Sequence, residues 1–192
     1  MRFCLVMMLL LATKFARPQE AKEEHTFPTK DQIQLVLTQS ERAFGVYEQT
    51  VQQESDAGGE LAKAAATDVE VLTGGREILA GLKKSPEGFN GPGGFLLVGE
   101  LDDASRNMSV CMGQAGLLAS SEAMSGNVSE GQRHMRLVQA CLDASTLLYT
   151  VSETAYSMYT EYLFAEHEMM NKAMEGLQEC ADVLKKNRPQ KQ

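Results

Sequence analysis

The fold turns on residues 132–175, QRHMRLVQACLDASTLLYTVSETAYSMYTEYLFAEHEMMNKAME, a run between Gly131 and Gly176 that contains neither Gly nor Pro. Within it and beyond, Met135, Val138, Cys141, Leu142, Ser145, Leu148, Ser152, Ala155, Tyr159, Tyr162, Glu166, Met169, Ala173, Leu177, Cys180 and Leu184 recur at a near-3.5 period. That period belongs to a coiled-coil-like helix. Asn127-Val-Ser-Glu130 has the form of a capping box at its start, and Lys185, Lys186 and Arg188 suit its negative end before Pro189. Thr150-Val-Ser-Glu153 also fits a capping box, but no breaker precedes it, so one helix to about Lys186 is expected.

Upstream, Leu97, Val98, Leu101, Ala104, Met108, Cys111, Met112, Ala115, Leu118 and Glu122 form a stripe that begins at Phe95 and stops at Ser125-Gly126. Before it, SPEGFNGPGG at residues 85–94 reads as the largest internal loop, without the Lys-Ser/Thr ending of a phosphate loop. Glu60 to Lys84 carries Leu61, Ala65, Asp68, Val69, Leu72, Gly75, Ile78, Leu79 and Leu82 on one side. The stripe keeps its phase across Gly74-Gly75, so a bend or a close helix contact is expected there. The first helix, from about residue 29 to 56, opens with a Thr29…Gln32 capping box. It carries Ile33, Val36, Leu37, Ser40, Ala43, Phe44, Tyr47, Thr50, Val51 and Glu54, and Gly58-Gly59 stops it.

Four helices joined by short turns imply an all-α, antiparallel up-down four-helix bundle, or an extended helical hairpin, with a long C-terminal coiled-coil-like helix. At 1.5 Å per residue the first three helices span about 42, 38 and 48 Å and the fourth roughly 85 Å. About half of the fourth then overhangs. Its apolar seam must bend back, meet a second copy, or dock on another protein. Tyr149, Tyr156, Tyr159, Tyr162 and Phe164 make this the most aromatic stretch, a composition that fits an interface and equally a core.

Cys111 lies sixteen residues before the Gly126-Asn127 turn and Cys141 fourteen after Asn127. On facing antiparallel helices the two are level, about 21 to 24 Å from the turn, so a Cys111–Cys141 bridge is expected. Cys180 is left over, as a free thiol or a link between copies.

The N-terminus supplies an address. Arg2 precedes the apolar run FCLVMMLLLA at residues 3–12, too short to span a bilayer but suited to a signal peptide; Ala16 is the expected last residue removed, with Ala12 and Ala21 as alternatives. The chain therefore divides into a secretory signal at 1–16, a flexible leader at 17–28, a helical bundle domain at 29–188 and a basic tail at 189–192. Its net charge is −8 over 192 residues. Losing Arg2 and Lys14 leaves 16 bases against 26 acids, −10. Such a charge, with no clustered Lys or Arg outside the last residues, argues against nucleic acid and against anionic membranes as partners. Export to a periplasm or the extracellular space is expected, with no membrane contact after the signal is removed.

Catalytic motifs are missing: no C-x-x-C, H-E-x-x-H or G-x-S-x-G occurs, so no enzyme and no cofactor are expected. The expected function is association through the last helix, with itself or a partner protein. The alternative is Cu(I) binding in the exported protein by His167, Met170 and Met174, an imidazole and two thioethers at i, i+3 and i+7.

Overall fold

A computed structural model describes residues 25–186, with side chains described to Asp182. The expected signal at 1–16, most of the leader and the basic tail lie outside the described residues. Helix α1 spans Lys30–Ala57 and α2 spans Gly59–Lys84; a short 3-10 turn, Pro86–Asn90, leads to α3 at Pro92–Met124, and α4 runs Val128–Lys186. The capping box is made at both ends. Thr29 Oγ1 accepts from the Gln32 amide at 3.2 Å, and Gln32 Oε1 accepts from the Thr29 amide at 2.8 Å. Gly58 and Gly59 turn the chain in left-handed conformations, φ 79° and 59°, that residues with a Cβ seldom adopt.

The helices form an antiparallel bundle around one core. All ten stripe residues of α1, Glu54 and Ser40 included, are buried. The outer edge of the Phe44 ring meets Gly75 of α2, so the close helix contact expected at the glycine pair is present without a break in α2. On the α1–α2 surface Arg76 pairs with Glu48 at 2.5 Å and Lys83 with Glu41 at 2.8 Å.

The α3–α4 seam is built from small side chains. Cys111 and Cys141 face each other with Cα atoms 6.2 Å apart and their sulfurs at bonding distance. One rung on, Ser105 Oγ donates to the Ser145 carbonyl and Ser145 Oγ to the Ser105 carbonyl, each at 3.1 Å. Ser152 Oγ then donates to the Val98 carbonyl at 3.4 Å. These reciprocal bonds let two backbones approach closely while every buried hydroxyl keeps a partner.

Two expectations need correction. Residues 85–94 are not a plain loop, because Pro92 sits at the first position of α3, where a missing amide costs nothing, and Gly93 and Gly94 continue the helix. Phe89 of the 3-10 turn is fully buried and plugs that end of the bundle. On α4, the inward column is His134, Leu137, Cys141, Ala144, Leu148, Val151 and Ala155, whereas Met135 and Leu142 face outward. Small residues, Cys141, Ala144 and Ala155, alternate there with Leu137 and Leu148.

Helix α4 passes Thr150 unbroken. The bundle ends near Tyr159, whose ring meets Phe95 at 6.2 Å. Residues 25–29 then run back along α4: Phe27 lies 5.8 Å from Tyr162, His25 stacks on Phe164 at 4.8 Å, and His25 Nδ1 lies 2.9 Å from Glu161. From His167 to Asp182 every described residue is exposed or partly exposed. At 1.5 Å per residue the segment from His167 to Lys186 extends about 30 Å past these contacts.

Candidate functional site

The outer side of α4 carries a column of large apolar residues spaced by seven: Val128, Met135, Leu142, Tyr149, Tyr156, Leu163, Met170 and Leu177, each between 43% and 71% exposed. It lies one residue, hence about 100°, from the buried column His134, Cys141, Leu148 and Ala155, so the two repeats share a period but not a direction. Seven residues is the repeat of coiled-coil helices. The exposed run is far longer than scattered surface hydrophobes require.

The five aromatics expected at an interface separate into two groups. Tyr149 and Tyr156 are exposed members of the column. Tyr159, Tyr162 and Phe164 contact the chain itself, through Phe95, Phe27 and His25, although Phe164 remains more than half exposed. Cys180 is a free, exposed thiol on the projecting segment. His167, Met170 and Met174 also lie on this segment, with Met170 and Met174 exposed, and His167 Nδ1 sits 3.2 Å from the Asn171 amide nitrogen. Among the described residues no group of three or more His, Cys, Asp or Glu is placed to hold a metal ion.

Inside the bundle, α1 and α2 bring two carboxyl groups together. Glu54 is fully buried, and neither of its oxygens meets a donor at hydrogen-bonding distance. Burial first, and the adjacent Asp68 carboxyl second, push Glu54 up to about 8. Burial raises Asp68 as well, against the opposing effect of Glu54, Tyr47 and Asn107. Tyr47 is raised by the same burial, and its hydroxyl donates to the Asp68 carbonyl at 3.3 Å. Glu54 and Asp68 each fall on the stripe of their own helix, and the stripes alone do not pair them. The signal was two acids at apolar positions on neighbouring helices.

Grooves on the surface of the described residues include two of note. One of about 630 Å³ between α1 and α2 is lined by Val51, Ala62, Ala65, Ala66, Val69 and Leu72. Another, about 460 Å³, lies beside Asp56, Arg133, His134 and Leu137. Glu54 and Asp68 line neither. Among the described residues no helix is long and apolar enough to cross a membrane. Comparison with family models, with curated proteins and with solved structures found no match to this chain.

Proposed function

We propose that the mature chain is an exported, non-enzymatic helical bundle that works by associating through its last helix, with a second copy or with a helix of another protein. The observation that carries this reading is the seven-residue column on the outer side of α4, which runs the length of the bundle and continues onto the projecting segment. Water is a poor neighbour for eight large apolar side chains in one row, and burying the part of each still exposed is worth about 1 kcal/mol. A coiled-coil partner removes them from solvent without disturbing the core beneath.

Export is supported by the Arg2-headed apolar run at residues 3–12 and by a cysteine pair at bonding distance in the core, since disulfides persist in oxidising compartments. A non-enzymatic role is supported by the sealing of the only strongly perturbed carboxyl pair among the described residues away from both grooves. A benzophenone side chain in place of Leu177 tests the association. Photolysis of the purified chain, alone and in the fluid into which its source exports it, is expected to trap a second polypeptide at that position. No cross-linked species in either setting, with folded protein by circular dichroism, refutes the reading.

A further inference from the structure

We propose that the groove where the end of α1 meets the start of α4 binds a small zwitterion, an α-amino acid with an apolar side chain. Asp56 and Ala57 of α1 form one wall of this groove, and His134, Arg136 and Leu137 of α4 the other. Its volume, about 460 Å³, falls within the range of roughly 300–1,000 Å³ found for small-molecule sites.

His134 is the side chain that points to a ligand. It is 7% exposed, and its Nδ1 is buried without a hydrogen-bond partner. Buried polar groups in folded proteins are nearly all paired, because an unpaired one has lost water and gained nothing. His134 lines the groove, so an occupant that hydrogen-bonds there meets an imidazole that no other described residue engages.

Charge selects the class of occupant, because the two walls carry opposite signs. Among the described residues Arg136 has no carboxylate, and Asp56 no cation, within ion-pairing distance. The Gln52 amide donates to one Asp56 carboxylate oxygen at 2.9 Å and leaves the charge uncompensated. The other guanidinium of the groove is already engaged: Arg133 pairs with Glu130 at 3.3 Å and donates to the Asp56 backbone carbonyl, closing the end of α1. Helix ends act in the same sense, since α1 brings its negative pole and α4 its positive pole to the groove. A plain anion is drawn by Arg136 and repelled by Asp56, and a plain cation meets the reverse. A molecule with a carboxylate for Arg136 and an ammonium for Asp56 satisfies both walls, and Ala57 and Leu137 receive its apolar side chain.

Calorimetric titration of the mature chain with three probes tests this: L-leucine, isocaproate, which lacks the ammonium, and isoamylamine, which lacks the carboxylate. L-Leucine is expected to bind one to one, and each of the other two at least about tenfold more weakly, the worth of one charge-assisted hydrogen bond. Arg136→Gln and Asp56→Asn, both at exposed positions, are expected to weaken L-leucine by a similar factor with unchanged helicity by circular dichroism. In the wild type the ring resonances of His134 are expected to shift as L-leucine is added, a readout that needs no substitution in the core. Isocaproate binding as tightly as L-leucine overturns the zwitterion in favour of a plain anion. Binding indifferent to both Arg136→Gln and Asp56→Asn, or without a shift at His134, overturns the site. Absence of L-leucine binding up to millimolar concentrations overturns the proposal as a whole.

Discussion

The ring of Phe44 on α1 occupies the space that a side chain at Gly75 on α2 would need: a Cβ at position 75 would stand 2.3 Å from the ring Cζ. Phe44 is fully buried, so the ring has little room to retreat. Gly75→Ala therefore sets a gain in helix propensity of about 1 kcal/mol against overpacking of about 1–3 kcal/mol, and the net expected effect is destabilisation. Gly81→Ala on the same helix meets nothing within 4 Å and is expected to stabilise by up to about 1 kcal/mol. Urea unfolding of the two variants checks the opposite signs. Equal and positive effects would show that Phe44 does not press on α2.

Cys111 and Cys141 are separated by 30 residues and sit level across α3 and α4. A bond there closes the turn between the two helices, and the chain-entropy account gives about 3–4 kcal/mol for a loop of this length. Cys141→Ala, or reduction with dithiothreitol, is expected to lower unfolding free energy by about that amount while the far-ultraviolet spectrum stays helical. Cys180→Ala is expected to leave the stability of the bundle unchanged, because that thiol is free and exposed. Peptide mapping under non-reducing conditions identifies the bonded pair directly.

The boundaries of α1 and α2 and the start of α4 are legible because Thr29, Gly58-Gly59, Pro86 and Gly126 mark them, and α1 is legible residue by residue because a single broad face is buried. The inward face of α4 is legible in part: Cys141, Leu148, Ser152 and Ala155 are buried as their stripe implies, whereas Met135 and Leu142 are exposed. Columns at 134, 141, 148, 155 and at 135, 142, 149, 156 share one period, and period alone does not say which column turns inward. Met135 and Leu142 have the size of core residues, yet the buried positions beside them are His134 and Cys141. Phe89 was hidden in a Gly- and Pro-rich string whose 3-10 turn carries it under the bundle. The Glu54–Asp68 pair depends on the register between α1 and α2, which no local pattern reports. The aromatics of the last helix form one group in the sequence, and only the path of residues 25–29 separates Tyr162 and Phe164 from Tyr149 and Tyr156.

Leu148 and Tyr149 are neighbours in sequence and opposites in structure, the first fully buried and the second 54% exposed. Leu148→Ala is expected to cost about 2–5 kcal/mol through the cavity it leaves. Tyr149→Ser removes a larger side chain, yet in the isolated chain it is expected to change stability by no more than about 0.5 kcal/mol. Thermal unfolding at low protein concentration measures both. A large loss for Tyr149→Ser would place that ring in the core and weaken the assignment of the outer column as a binding face.

The buried pair of acids makes the stability of the bundle depend on pH in a direction opposite to that of an ordinary salt-bridged carboxylate. Glu54 is raised from 4.5 to about 8, so the folded chain holds a proton that the unfolded chain releases near pH 4.5. The stabilisation from this proton is complete below about pH 4.5 and is lost as pH rises through the folded value. Asp68 is shifted the same way, and two carboxyls in contact resist double ionisation, so the pair titrates as a unit. The urea midpoint of the wild type is expected to fall between pH 5 and pH 8. Glu54→Gln carries no titrating proton, so its midpoint is expected to fall less over that interval. At pH 8 the variant is expected to exceed the wild type by about 1–3 kcal/mol, the scale of one or two pKa units, and at pH 5 the two are expected to lie close together. Parallel pH profiles for wild type and variant would mean that Glu54 is ionised in the folded chain and reaches a counter-charge or water inside the bundle.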